Sequence, residues 1–199
     1  MIQAVIFDLG GVLIEDPSTE MIRYYANYLQ INRESLLAAL NKHWDAWHKG
    51  SLSEQEVWKQ VSANLNVQNK IFDSLWLDGF KRAYKEKPEM FVLLKQLKHQ
   101  GYTTALLSNI EAPLVSYLKQ HLFEDIDRCF YSCEMGMRKP EKSIYVKTLQ
   151  GLACQPEAAV FIDDRRENVN TAASLGIPSI LFRNCEDLKK QLSRYRISL

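Results

Sequence analysis

The sequence predicts a three-layered α/β fold on a five-stranded parallel sheet, with an all-helical insertion after the first strand. Two observations carry the prediction. From Pro88 onward, short runs rich in Val, Ile and Phe alternate with stretches of helical periodicity, the rhythm of parallel strands joined by right-handed crossovers. Between about Glu15 and Lys87, by contrast, every periodic stretch has helical spacing and no strand intervenes.

Composition sets the frame. The chain has 199 residues, 46% of them hydrophobic and 25% charged, enough for one substantial core carrying a modest insertion. With 25 Lys+Arg against 24 Asp+Glu the formal charge is +1, which leaves little electrostatic drive toward nucleic acid. No uncharged apolar stretch reaches the roughly eighteen residues that a bilayer helix needs, so no membrane association is expected. The opening MIQAVIFDLGG lacks the basic leader and apolar segment of an export signal, so a cytoplasmic protein is expected. Cys129, Cys133, Cys154 and Cys185 form no CxxC pair, and reduced thiols are the expectation. His43, His48, His99 and His121 lie at no metal-binding helical spacing and read as surface or packing residues.

The elements follow in order. Gln3 to Phe7 is a buried strand ended by Asp8, Gly10 and Gly11. Four amphipathic helices come next: through Met21, Tyr25 and Leu29; through Leu36, Leu40, Trp44 and Trp47; through Val57, Trp58 and Val61; and through Ile71, Leu75, Trp76 and Phe80. The third opens on a capping box, Ser53 to Glu56, after a turn at Lys49-Gly50. All four tryptophans fall in this insertion, which therefore has aromatic material for a small core of its own. A helix through Phe91, Leu94 and Leu97 then stops at Gly101, Thr103 to Leu107 is a strand, and a helix runs to about Gln120. Strands are expected at Arg128 to Ser132, Ala158 to Ile162 and Ser179 to Phe182. Helices are expected at Pro140 to Gly151, with proline in its first turn, at Arg165 to Leu175 and at Glu186 to Arg194.

In such sheets ligands bind beyond the carboxyl ends of the strands. Asp8 follows the first strand, Ser108-Asn109 the second, EMGMRKP with Lys139 the third, and Asp163-Asp164 the fourth. Taken singly, each is an ordinary turn, cap or surface residue; together, each at the same end of a strand, they point to a site. Three clustered carboxylates repel by roughly 4 kcal/mol per pair at about 4 Å in an effective dielectric near 20, unless a cation sits between them. A hard divalent ion suits oxygen ligands, and Mg²⁺ is the first choice. Together with Lys139, Ser108 and backbone amides, it would receive a phosphate.

These stretches resemble the haloacid dehalogenase-like hydrolases: VIFDLGGVL (Val5 to Leu13), LLSN (Leu106 to Asn109), GMRKPEKSIY (Gly136 to Tyr145) and VFIDDRRENVNTAASLGI (Val160 to Ile177) look like the four family motifs in order and spacing. The resemblance implies a Rossmann-like catalytic core at 1–14 and 87–199 and an α-helical cap at 15–86. It further implies a Mg²⁺-dependent phosphatase acting on a small phosphomonoester, a sugar phosphate favoured, with no nucleic-acid partner. Asp8 resembles the nucleophile that forms an aspartyl-phosphate. Ser108 and Asn109 look like the pair that holds phosphate oxygens, and Lys139 like the lysine that offsets charge on nucleophile and phosphoryl group. Asp164 helped by Asp163, with the Gly10 carbonyl, looks like the metal site, and Asn168 like the residue bracing that loop.

One position departs from the pattern. The family's phosphatases usually carry a second aspartate two residues after the nucleophile as general acid and base; here it is Gly10. Asp16, Glu15 or a cap residue is the expected substitute. Trp44, Trp47, His48 and Lys49 are candidate contacts to the leaving group, with packing as the alternative for both tryptophans. The substitution leaves open a dehalogenase, a phosphonate hydrolase using a cap lysine such as Lys42, Lys49 or Lys59, or a silent scaffold that binds a phosphorylated ligand or a protein. The paired Asp163-Asp164 favours Mg²⁺ and phosphorus chemistry over a dehalogenase, a single cap lysine is usually a solvated charge, and the intact Asp8, Lys139 and Asp164 speak against a silent scaffold, which Gly10 keeps open.

Overall fold

A computed structural model of the chain describes residues 1–67, 74–121 and 124–198, His121 by its main chain only. The sheet holds β1 (Ala4–Phe7), β2 (Thr103–Ser108), β3 (Arg128–Tyr131), β4 (Ala159–Asp163) and β5 (Ser179–Leu181), all parallel, in the order β3-β2-β1-β4-β5. In register, Val5 lies beside Thr104 on one side and Val160 on the other. The chain steps outward from β1 to β3, then crosses back to place β4 on the other side of β1. The C-terminal ends of β1 and β4 therefore flank a topological switch point.

The helices are α1 (Ser18–Leu29), α2 (Arg33–Asn41), α3 (Trp44–His48), α4 (Glu54–Leu65), α5 (Leu75–Ala83), α6 (Pro88–His99), α7 (Ala112–His121), α8 (Ser132–Met135), α9 (Lys142–Gly151), α10 (Arg166–Ser174) and α11 (Cys185–Ser193). Strand alternation sorts the core into two faces. Val5 and Phe7 of β1 point with Leu106, Val160 and Ile162 toward α6 and α11, while Ala4 and Ile6 point with Leu107 and Phe161 toward Ile144 and Leu149 of α9. No helix among the described residues is long and apolar enough to cross a membrane. The four cysteines are free thiols.

The insertion differs from the sequence reading in two respects. The stretch read as one helix through Trp47 is two, because Lys42 and His43 donate to Ala39 and Leu40 in tight three-residue turns and Trp44 Nε1 caps onto Asn41 Oδ1 at 3.0 Å. Its aromatic core is continuous with the core beneath one sheet face rather than separate from it. The joint is α5 against α7, where Phe80 meets Tyr117 edge-on at 6.1 Å. The last helix begins at Leu75, and Ile71, assigned to the same stretch, lies outside the described residues. The capping box at Ser53 and Glu56 is present as read.

In the core, Pro140 precedes α9 rather than opening it: Glu141 is the N-cap, and the Lys139-Pro140 peptide is cis. A helical turn, α8, follows β3 at once, where the sequence suggested a strand to Ser132; the Ser132 hydroxyl is drawn back to accept from Ile110 N at 2.9 Å.

Candidate active site

The three carboxylates after β1 and β4 converge. One oxygen each of Asp8, Asp163 and Asp164 lies within 4.8 Å of the others. Asp8 is placed by its own N–H, which donates to Ile162 O at 2.9 Å, and its Oδ1 accepts from Leu9 N at 2.7 Å. Between Asp8 and Asp163 lies Lys139, whose side chain is only 1% exposed and whose Nζ is 2.8 Å from Asp8 Oδ1 and 2.7 Å from Asp163 Oδ2. A buried ammonium stays charged only with such partners. Burial works against its charge, but the charges of Asp8 and Asp163 and the hydrogen bonds to both outweigh it and hold its pKa above the usual lysine range.

Burial, with the Asp163 charge added, pushes the Asp8 carboxyl up to about 7 despite the opposing lysine. Burial and the Asp163 charge also raise Asp164. Asp163 has its oxygens filled: Oδ1 accepts from Arg165 N at 2.8 Å and Asn168 Nδ2 at 2.9 Å, and Oδ2 from Asn168 Nδ2 at 3.0 Å as well as from Lys139. Asn168 thus braces the β4 loop through Asp163. The Gly10-Gly11 turn runs against Asp164 so closely that a Cβ on Gly11 would fall 2.3 Å from Asp164 Oδ2.

Asn109 also has a contact that its motif did not suggest. Its side chain clasps the main chain of Lys139, Nδ2 donating to Lys139 O and Oδ1 accepting from Lys139 N, both at 2.8 Å. The side-chain amide thus positions the lysine, and both Ser108 and Asn109 line the open cavity.

That cavity, about 420 Å³, is lined by Asp8, Gly10, Ser108, Asn109, Lys139, Asp164 and Asn168 on the sheet side and by residues of α1, α2, α3 and α5 on the other. Of the candidate contacts in the insertion, Trp44 and His48 line it. Trp47 is fully buried in the core, and Lys49 pairs with Glu141 at 2.6 Å and Asp45 at 3.0 Å outside the lining. Of the two acidic substitutes for residue 10, Asp16 lines the cavity, whereas Glu15 is placed 3.9 Å from Lys87 and does not.

Sequence reasoning missed Glu111, Arg138, Arg165, Trp76 and Phe80, all lining residues. Buried Glu111 accepts from His48 Nε2 at 2.9 Å and from Trp76 Nε1 at 3.0 Å, tying the insertion to the end of β2. Its position three residues after Ser108 was the available signal; its partners lie 63 and 35 residues away and left none.

A parallel sheet with an acidic and lysine-bearing site at its switch point defines a Rossmann-like α/β protein with a candidate active site. The model of the haloacid dehalogenase-like hydrolases matches residues 2–176, and the chain belongs to that family. It is 26% identical to the sesquiterpene phosphatase astK of Aspergillus oryzae, covering 88% of this chain and 87% of that protein. It is 28% identical to the drimenol cyclase drtB of Aspergillus calidoustus, over 97% of this chain but only 36% of that protein's length. Among solved structures, the family enzyme bt-2542 from Bacteroides thetaiotaomicron superposes with a TM-score of 0.81 at 23% identity, covering 96% of this chain and 98% of that one. Its complex with magnesium and inorganic phosphate superposes at 0.76, with 22% identity and coverage of 92% and 95%.

Proposed function

We propose that the protein is a Mg²⁺-dependent phosphatase that hydrolyses a small phosphomonoester through an aspartyl-phosphate on Asp8. The observation that carries this reading is the buried Lys139 bridging Asp8 and Asp163, with Asp164 beside them at the floor of a cavity. Around that floor three carboxylates face one ammonium, with Arg138 and Arg165 elsewhere in the cavity lining, and a phosphate dianion brought against Asp8 calls for a further cation there. The donor set fits Mg²⁺: hard carboxylate oxygens from Asp8 and Asp164, joined by the Gly10 carbonyl, with the fully engaged Asp163 contributing mainly its charge. When bound, the ion neutralises charge between nucleophile and phosphoryl group. A phosphatase among the relatives, and a fold neighbour crystallised with magnesium and phosphate, support the reading.

Asp8 Oδ1 is held by Leu9 N and Lys139, which leaves Oδ2 to attack phosphorus. The ester P–O bond breaks as the aspartyl P–O bond forms, and the leaving alkoxide takes a proton. Water then attacks the aspartyl-phosphate, releasing inorganic phosphate and restoring Asp8. Ser108 supplies a hydroxyl to the phosphoryl oxygens, and Asn109 keeps Lys139 in place by holding its main chain. Residues 15–86 act as a cap over a core of 1–14 and 87–199, so the cavity between them excludes water from the transfer. Apart from Asp8 itself, Asp16 is the lining acid closest in sequence to residue 10 and is the candidate proton donor to the leaving alkoxide. Family resemblance favours a sugar phosphate as substrate; the cavity walls argue otherwise, as set out below.

Phosphate release from p-nitrophenyl phosphate tests the reading. Turnover should need Mg²⁺, stop with chelator, and fall at least about a thousandfold in Asp8→Asn. Release that persists in Asp8→Asn would refute the covalent route. No release from any ester, with phosphate binding intact, would favour a silent scaffold, for which Gly10 is the supporting observation.

A further inference from the structure

We infer that the alcohol half of the substrate is apolar, an aliphatic chain rather than a polyol. The inference takes its chemistry from the phosphatase reading and its content from the wall of the cavity that faces the carboxylates.

Much of that wall is carbon. Met21, Ile22, Leu37, Trp44, Trp76 and Phe80, from four separate helices, line the space opposite Asp8 and Lys139. Burial of apolar surface is what such a wall can reward.

Most polar groups on the same wall bond one another; His48 Nδ1 is the exception, a buried atom with no partner among the described residues. Asp16 Oδ1 accepts from the Ser18 hydroxyl at 2.6 Å and from Ser18 N at 3.0 Å. Asn41 Oδ1 accepts from Trp44 Nε1. The two oxygens of Glu111 are taken by His48 Nε2 and Trp76 Nε1. A site that recognises a polyol needs donors and acceptors left over for its hydroxyls, since each hydroxyl buried without a partner costs free energy. Here both indole N–H groups that line the cavity are already committed.

The aromatic faces are committed too. Trp76 stacks on Tyr25 at 4.8 Å and packs on Trp47 at 4.5 Å, which leaves little of its ring as a platform for a sugar. At the other limit of the wall, Leu37 both lines the cavity and is 41% exposed, so the apolar surface continues from the buried floor to the rim. An extended chain can follow that path, with its far end emerging at Leu37.

The test uses the full chain with Mg²⁺ and a series of ethyl, butyl, hexyl and octyl phosphate, each below its micellar concentration, beside glucose 6-phosphate. We expect kcat/KM to climb by up to about fourfold per methylene through hexyl. Octyl phosphate should exceed glucose 6-phosphate by at least about tenfold. Leu37→Asn, at a position exposed enough for the fold to tolerate it, should lower the octyl-to-ethyl ratio. Binding is read separately in Asp8→Asn, from the tryptophan fluorescence change on adding octylphosphonate or methylphosphonate.

Phosphate release with no dependence on chain length, or faster with glucose 6-phosphate, overturns the apolar substrate and leaves the phosphatase standing. No release from any ester, but tighter binding of octylphosphonate than methylphosphonate, overturns the phosphatase and keeps the apolar pocket. Neither release nor preferential binding overturns both.

Discussion

Gly10 and Gly11 are neighbours with opposite tolerances. A Cβ on Gly10 would meet only Pro17 Cδ at 3.6 Å, an ordinary contact, whereas one on Gly11 would collide with Asp164 and Gly11 has a φ of +81° besides. Gly10→Asp therefore fits, and it should raise kcat by about 10- to 100-fold for alkyl phosphates, whose alkoxides need a proton, and far less for p-nitrophenyl phosphate. Equal gains on both would show that proton supply is not what residue 10 limits. Asn168 offers a second test at this scale. Its Nδ2 serves both oxygens of the buried Asp163, so Asn168→Ala should cost about 1–3 kcal/mol of stability and roughly tenfold in activity as Lys139 loses its fixed partner. Unfolding midpoints and kcat together check it.

Among the elements, α1 and α5 pack closely within the insertion. Tyr25 donates to Trp76 O at 2.8 Å, and its ring lies where a side chain at residue 79 would begin: a Cβ there would be 2.3 Å from the Tyr25 hydroxyl and 2.5 Å from Cζ. Gly79→Ala gains about 1 kcal/mol of helix propensity. It loses more by overpacking a fully buried tyrosine, and a net loss of about 1–2 kcal/mol is expected. In a chain of this size that is about 2–8 °C in Tm by calorimetry. Because Trp76 also bonds Glu111 in the cavity, the same variant should alter the substrate preference; an unchanged Tm would mean that the helices shift freely.

Across the whole molecule, charge concentrated at the switch point couples metal, proton and stability. Without metal the folded protein holds a proton on Asp8 up to about pH 7, which the unfolded chain releases near its ordinary value of 3.8. The folded state thus binds more protons between those values, and this group's contribution to stability falls as pH rises from about 4 to 7. Mg²⁺ bound at Asp8, as proposed, would compete with that proton. At saturating Mg²⁺ the rise in Tm should therefore be larger at pH 8 than at pH 5.5, on the order of several degrees at a hundred times Kd. Equal shifts at the two pH values would place the carboxyl already ionised without metal. Lys139, raised above the usual lysine range, stays charged throughout and does not contribute to this dependence.

By itself the sequence determined the layers, the parallel sheet and the carboxylate-bearing floor of the cavity, because these depend on local signals. Short apolar runs ended by Asp8, Ser108 and Asp163 state both the strand and the end at which chemistry gathers, and the parallel sheet lines those ends up. Only the tertiary structure decided how the floor is wired and roofed. Asn109 clasps the main chain of Lys139, 30 residues away, and Glu111 found His48 and Trp76 across the insertion. Periodicity marked Trp44, Trp47 and Trp76 alike as apolar, but which of them face a cavity and which a core depends on how α3 and α5 pack. Hydrogen bonds and burial between distant segments have no spacing to read in the chain, and here they decide what the cavity can hold.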